Sequence, residues 1–551
     1  MSRLKRRARP TAGKQKGGYP IVLTASKAEM SHYGGDPFKA FICTFPQLFS
    51  RRVLGEHLVS SPNKDNTERF APLGLRRVEA ILGEKYGYEN VVVAHPDKLS
   101  EFIGKKTKIV GVTTMDPIGL AYVSTTYNKL IGFGGESLNA AEFKDLLTHP
   151  TILTHKPKII VGGAGVWQIR DAGLQDALGI DVLFQGEGEE EMVPVIDQLL
   201  QGAAEKRYYH STKTPDRDKV PVIRNAASYG AVEITRGCGR GCAFCSPTNR
   251  RKYSFPLERI MKEVDVNVKG GSKSVFTVTE DMFLYKSHPG FIPNTPEIVN
   301  LYKTIASHPG VEYILLSHAS LAPVLYDPKL LQELTPLLLD KSYWNREHGY
   351  RKKFITAEVG IETGSARLMN KHMKGKALPY KVDNWSELVL KGIGTMNDHD
   401  WWPLCTIMTG QPDETEDDVR ATLDLIDGLR AQNSKMFYTP VLFIPLEDAM
   451  LRNAKRSNLE SLTELQWEVV TKCWRNNIDF WQPERAWLYG SMFFLSHWFY
   501  ARWRHGKKST RPMMHLAGLQ DDSLTLWALD KWSALKLPEA IGSRFGLLKK
   551  N

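Results

Sequence analysis

The chain has 551 residues, enough for two or three domains, and its 42% hydrophobic and 24% charged side chains are the balance of an ordinary globular protein. Six cysteines over this length exclude a disulfide scaffold, and no apolar run is long enough to span a bilayer. A net charge of +12 and a pI of about 9.1 are compatible with an acidic partner or surface.

The positive excess is partly local. The first sixteen residues hold Arg3, Lys5, Arg6, Arg7, Arg9, Lys14 and Lys16 and no acid. Residues 1–30 read as a basic, disordered, solvated tail. No apolar core follows the charges, so the tail is not a secretory signal, and a cytoplasmic location is expected. Nucleic acid is not an expected partner.

Residues 31–205 alternate short apolar runs with helical stretches. Strands are predicted at 40–45, 90–94, 108–113, 158–163 and 181–184, and helices at 75–82, 138–147 and 190–200. That alternation means parallel pairing and a doubly wound, Rossmann-like α/β domain. Ligands of such sheets sit at the carboxyl ends of the strands, here 114–117, 162–165 and 186–188. Residues 206–230 are polar and read as a linker. A second β/α series fills 231–450, with strands at 232–235, 274–279, 313–317, 354–360, 404–409 and 437–443. Six such strands suggest a partial (β/α)6 barrel whose site faces the strand C-termini. Residues 451–551 read as a helical, aromatic and basic region. Its apolar run 488–500 is too short for a bilayer; it is either a buried helix or, with the basic flank 501–508, a peripheral membrane contact.

The chemistry concentrates directly after the first barrel strand. Cys238, Cys242 and Cys245 are spaced C-x3-C-x2-C, with Phe244 before the last cysteine. Three thiolates on one loop can hold three irons of a 4Fe–4S cluster and leave the fourth iron open to a small molecule. A structural zinc wants four ligands, usually in two pairs, and no second pair exists. Cys43, Cys405 and Cys473 are single and apolar-flanked, which suits small buried hydrophobes. One cluster is the count.

The run 238–245 resembles the cysteine motif of the radical S-adenosylmethionine (SAM) superfamily. The resemblance implies that Cys238, Cys242 and Cys245 hold the cluster and that SAM chelates the open iron. One-electron reduction then gives a 5′-deoxyadenosyl radical, and Phe244 packs near adenine. Residues 274–283 look like the second barrel strand, whose acidic end receives the SAM amino group. Glu280 is favoured there, with Asp281 close behind. Residues 358–365 resemble the fourth-strand glycine–isoleucine–glutamate motif, which turns Glu362 towards the ribose; a carboxylate can accept two hydroxyl hydrogen bonds. Residues 407–418 resemble the fifth-strand signature, although acids there also suit a helix N-terminus.

Residues 159–163 and 182–189 are similar to the subgroup with an N-terminal cobalamin-binding domain. This implies Gly162, Gly163 and Gly186 as cofactor-binding positions. There is no D-x-H-x-x-G run, and 164–167 stands where relatives often carry a histidine, so cobalamin itself stays open here. Methylthiotransferases of the superfamily need three further N-terminal cysteines, and only Cys43 lies there. His318 ends the third barrel strand and could meet substrate, or be structural. Residues 398–402 line a cavity or only pack.

The resemblance therefore implies a radical SAM enzyme that removes hydrogen from an unactivated carbon. Cobalamin-dependent C-methylation is the leading outcome. Cobalamin-independent C–C bond or ring formation on a lipid or tetrapyrrole, and a non-catalytic metal-binding protein, are the alternatives. It further implies a reductant of ferredoxin or flavodoxin type and a small-molecule, lipid or peptide substrate. No residue is assigned a catalytic role.

Overall fold

The computed structural model describes residues 17–58, 62–131, 135–203, 206–481 and 500–516, in two compact units, Met1–Asn458 and Leu459–Asn551. The first unit opens with β1 (Ile21–Ala25), followed by β2 (Val91–Val93), β3 (Ile109–Thr113), β4 (Lys158–Gly162), β5 (Val182–Gly186) and β6 (Tyr208–Ser211). All pair in parallel in the order β2-β1-β3-β4-β5-β6. The strands are rich in Val and Ile and buried on both faces, as a parallel sheet covered by helices requires. One face packs on Phe143, Leu146 and Ile169, the other on Leu75, Leu82 and Ile196.

Three expectations need correction. The basic tail cannot extend to residue 30, because β1 is a fully buried interior strand; residues 1–16 lie outside the described residues. The strand predicted at 40–45 is instead a 3₁₀ helix, Pro37–Thr44. Asp36 caps it through the Phe38 N–H at 2.9 Å, Pro37 suits a first helical turn, and Ser50 Oγ donates to Ile42 O at 2.6 Å. The linker predicted at 206–230 holds β6, an edge strand whose Tyr-Tyr-His-Ser run lacks the apolar signature of a central strand.

The barrel comprises β7 (Ala231–Glu233), β8 (Thr235–Arg236), β9 (Tyr253–Ser254), β10 (Ser274–Val278), β11 (Tyr313–Leu316), β12 (His318–Ala319), β13 (Glu358–Glu362), β14 (Leu404–Thr409) and β15 (Phe437–Leu442). Strands β7, β10 and β11 form one parallel sheet, and β12, β13, β14 and β15 another. Ser317 joins them: its N–H donates to Thr277 O at 3.3 Å and its carbonyl accepts from Glu358 N at 2.8 Å. The six-strand wall is thus continuous. β8 turns away and pairs antiparallel with β9, leading the chain into the cysteine loop.

The helix Tyr122–Ile131 docks on β15: Tyr127 Oη donates to Pro440 O at 2.9 Å and Leu442 N to Thr126 Oγ1 at 3.0 Å. Arg236 at the end of β8 reaches across to Glu187 at 3.0 Å and Glu189 at 2.7 Å, in the loop after β5. The carboxyl ends of the sheet and of the barrel therefore meet.

In the second unit the helix Glu464–Trp481 buries Trp467, Val470 and Cys473. The basic flank 501–508 leads into the helix Lys507–Leu516, and of the apolar run 488–500 all but Tyr500 lies outside the described residues. Among the described residues no helix is long and apolar enough to cross a membrane.

Candidate active site

The cysteine loop takes its path from alternating glycines. Gly237, Gly239 and Gly241 have φ of 70°, 74° and 76°, a region that disfavours side chains. A Cβ on Gly237 would lie 2.7 Å from Arg250 O, so the loop base also lies against the backbone after it. The loop is pinned by Ala243 N to His372 O at 2.8 Å, Cys245 N to Cys242 O at 3.1 Å and Gly241 N to Thr248 Oγ1 at 2.6 Å. Cys242 is buried; Cys238 and Cys245 are partly open. Burial pushes the Cys238 thiol up to about 11 and the Cys245 thiol to about 12, and raises Cys242 against the pull of Lys376. Metal binding here must release protons. Among the described residues no three His, Cys, Asp or Glu side chains surround a single metal ion; each thiolate of a cluster holds a different iron, so three cysteines spaced along one pinned loop suit a cluster and not a lone ion.

Arg240, between the first two cysteines, anchors the loop. It is 6% exposed, donates to Asp281 Oδ2 at 3.0 Å and to Gly375 O at 3.0 Å, and lies 4.9 Å from the Phe291 ring centroid. Asp281 Oδ2 also accepts from Ser320 Oγ at 2.5 Å, and Oδ1 from Phe283 N at 3.1 Å. Its carboxylate is spent on structure. Glu280, one residue earlier, is partly exposed and makes no hydrogen bond or ion pair with a described residue; its charge is felt at Cys245, Tyr122 and His318.

Glu362 ends β13 at a register shift, with φ of 66°, and is buried. Lys376 pairs with its Oε1 and Thr406 Oγ1 donates to its Oε2 at 3.2 Å. The Lys376 ammonium stands 5.7 Å from the Phe244 ring centroid. Cys242, Cys245, Phe244, Glu362 and Lys376 are thus brought together. His318, beside Glu358 on the next strand, donates to Glu358 Oε2 at 3.2 Å and to Thr279 O at 3.2 Å. Both ring nitrogens have acceptors, so the ring is a cation. Burial opposes that charge, but the bond and attraction to Glu358 outweigh it and push the pKa up to about 9. Burial, and then the nearby carboxylates of Glu358, Glu362 and Glu280, push the Tyr122 phenol of the N-terminal domain up, so it stays protonated.

Sequence reasoning missed Arg240 and Lys376. Arg240 sat inside the motif and its burial was unreadable; Lys376 gave no signal at all, since it meets Glu362 only through the fold.

A cavity of about 460 Å³ opens between the sheet and the barrel. Its apolar depth is Leu23, Gly111, Ile160 and Phe184; Glu187, Arg236, Arg250 and Glu447 line its other side. Burial and Asp448 push Glu447 up to about 7. Gly162, Gly163 and Gly186 all line the cavity, but for different reasons. A Cβ on Gly163 would lie 2.5 Å from Thr114 O, and one on Gly186 2.0 Å from Ser211 O, at φ of 101° and 96°. Those two glycines are required by neighbouring backbone. At Gly162 the nearest atom is Phe184 O at 3.6 Å, so it alone of the three leaves its space to a ligand.

Residues 232–426 match the radical SAM superfamily. That segment, with its barrel and three-cysteine loop, is a radical SAM domain. The cofactors of that superfamily are a 4Fe–4S cluster and SAM, and its members need an electron donor. Among relatives, a ribosomal protein uS12 methylthiotransferase of Phocaeicola vulgatus is 25% identical over 44% of this chain and 52% of its own length. A tRNA-2-methylthio-N(6)-dimethylallyladenosine synthase of Fusobacterium nucleatum is 24% identical over 52% of this chain and 67% of its own. The chain thus spans about half to two thirds of these relatives. The structure of the radical SAM methyltransferase TsrM of Kitasatospora setae, with cobalamin and a 4Fe–4S cluster bound, superposes with a TM-score of 0.48 at 15% identity, over 77% of this chain and 75% of that one.

Proposed function

We propose that this radical SAM enzyme removes hydrogen from an unactivated carbon and, with cobalamin held between sheet and barrel, methylates it. The observation that carries the reading is the 460 Å³ cavity at the carboxyl ends of β4 and β5, facing the strands that bear the cysteine loop. The cluster and SAM together supply a carbon-centred radical, and cobalamin a transferable methyl group. Cys238, Cys242 and Cys245 hold the cluster, with Arg240 fixing their loop. Glu280 offers an unshared carboxylate to the SAM ammonium, Glu362 offers its remaining lone pairs to the ribose hydroxyls, and Phe244 gives the adenine an apolar face. Gly162 gives the corrinoid its close approach, and Leu23, Ile160 and Phe184 the apolar depth. The His318 cation, partly open to the barrel interior, suits an anionic group on the substrate.

Methylthio transfer, the activity named for the two relatives, finds no second cysteine trio. Cys43, Cys405 and Cys473 are each buried singly, on the helix Pro37–Thr44, on β14 and on the helix Glu464–Trp481. The test is anaerobic purification with a visible spectrum before and after hydroxocobalamin. Retained corrinoid bands and about four irons per chain support the reading. A protein that loads the cluster but washes free of corrinoid sinks the methylation arm.

A further inference from the structure

We propose that Lys376 is a positioning residue of the SAM site, fixing the Glu362 carboxylate and supplying the positive charge of the cluster pocket. The proposal rests on the radical SAM reading above.

Lys376 belongs to the 3₁₀ turn Lys374–Lys376, after the helix Ala366–His372. Its side chain is 14% exposed and that of Glu362 6%. A lysine withdrawn this far from water is retained only against a partner. Three details show that the surroundings are shaped around this pair. Gly360, two residues before Glu362, leaves the space: a Cβ there would lie 2.2 Å from both Lys376 Nζ and Glu362 Oε1. Thr406 Oγ1 holds the second carboxylate oxygen at 3.2 Å. The ammonium also faces the Phe244 ring, 5.7 Å from its centroid, within the reach of a cation–π contact.

The other end of Lys376 is tied to the cysteine loop. Arg240 Nη1 donates to Gly375 O at 3.0 Å and reaches Lys376 O at 3.5 Å. A Cβ on Gly375 would lie 1.8 Å from Arg240 O, so the two backbones touch. Lys376 therefore joins the loop between Cys238 and Cys242 to the acid that ends β13. Its charge, with that of Arg240, opposes the effect of burial on the Cys242 thiol, while Glu362 acts the other way. A cation beside a cluster held by three thiolates stabilises the more negative, reduced state, because net charge and surroundings set cluster potentials. A lysine that merely filled the core as a salt bridge would leave potential and SAM affinity unmoved.

The test compares Lys376→Met, Lys376→Arg and the double variant Lys376→Met with Glu362→Gln, which leaves no orphaned carboxylate. Each is reconstituted anaerobically, its iron counted, its midpoint potential read by EPR-monitored titration, and its SAM affinity by calorimetry. We expect Lys376→Met to carry a full cluster at a lower potential and to bind SAM about tenfold more weakly, a loss of about 1.4 kcal/mol. Lys376→Arg restores both. The double variant, which removes both charges of the pair, brings the potential back towards wild type while SAM binding stays weak. Wild-type potential and SAM affinity in a fully loaded Lys376→Met protein, or wild-type SAM affinity in the double variant, overturn the proposal. Failure of the wild-type chain to hold a cluster or bind SAM overturns instead the reading on which it rests.

Discussion

Arg240 and Asp281 form a buried ion pair, Nη2 to Oδ2 at 3.0 Å, that clamps the loop between Cys238 and Cys242 to the segment after β10. Their side chains are 4% and 3% exposed, so neither charge is left to solvent. Asp281→Ala should therefore cost about 3–5 kcal/mol, the usual penalty for stranding a buried charge. It should also lower cluster occupancy by loosening the loop. Denaturant midpoints and iron counts check both; full occupancy with unchanged stability would remove Arg240 from the anchoring role.

The cysteines give the plainest prediction. Cys242→Ala should abolish the cluster and with it all SAM cleavage, while the Rossmann-like sheet stays folded. Iron analysis and detection of 5′-deoxyadenosine read the two effects. Any deoxyadenosine made by that variant would refute the site.

Glu280 and Asp281 are adjacent but should behave differently. Glu280 has no described partner to lose, so Glu280→Gln should keep wild-type stability and cluster content yet bind SAM at least about tenfold more weakly, a deficit of about 1.4 kcal/mol. Calorimetric titration of SAM into the reconstituted variant measures it. Unchanged affinity would pass the ammonium-binding role to another group.

His318 predicts a pH dependence of defined sign. Its folded pKa is raised to about 9, above the unfolded value of about 6.5. The pairing with Glu358 therefore contributes its full stability below about pH 6.5 and loses it as pH rises through about 9. Comparing wild type with His318→Gln across that window should show stabilities converging at alkaline pH. A difference that does not shrink means that His318 is not the cation described.

The glycines separate fold from ligand. Gly186→Ala places a Cβ 2.0 Å from Ser211 O at a φ of 96°, and should destabilise by about 1–3 kcal/mol. Gly162→Val should leave the fold near wild type and reduce corrinoid uptake. Thermal midpoints with and without hydroxocobalamin distinguish them; equal behaviour would remove the distinction between the two positions.

The sheet and barrel were legible because parallel strands advertise themselves as short Val- and Ile-rich runs between helices, and the cysteine loop because its chemistry demands a spacing. β1 escaped notice because it follows a basic tail with no helix between them. β6 escaped because an edge strand needs no apolar alternation. The misplaced strand at 40–45 shows apolar composition overruled by Pro37 and the Asp36 cap. At the site, Glu362 could be read from its motif, but Lys376 could not, since nothing in the order of residues brings position 376 to position 362. Gly163 and Gly186 were readable as glycines whose purpose only neighbouring backbone reveals.

Arg236 bonds to Glu187, Glu189 and Glu233, and Arg250 bonds to Glu187, all on the rim of the cavity. These ion pairs are also a joint between the sheet and the barrel. A cofactor that entered on this side would have to part these ions, and its loading and the opening of the joint would become one kinetic event. The holoprotein would then assemble slowly in dilute buffer and faster as salt screens the rim, and once closed it would release its cofactor on the timescale of domain separation, not of ligand diffusion.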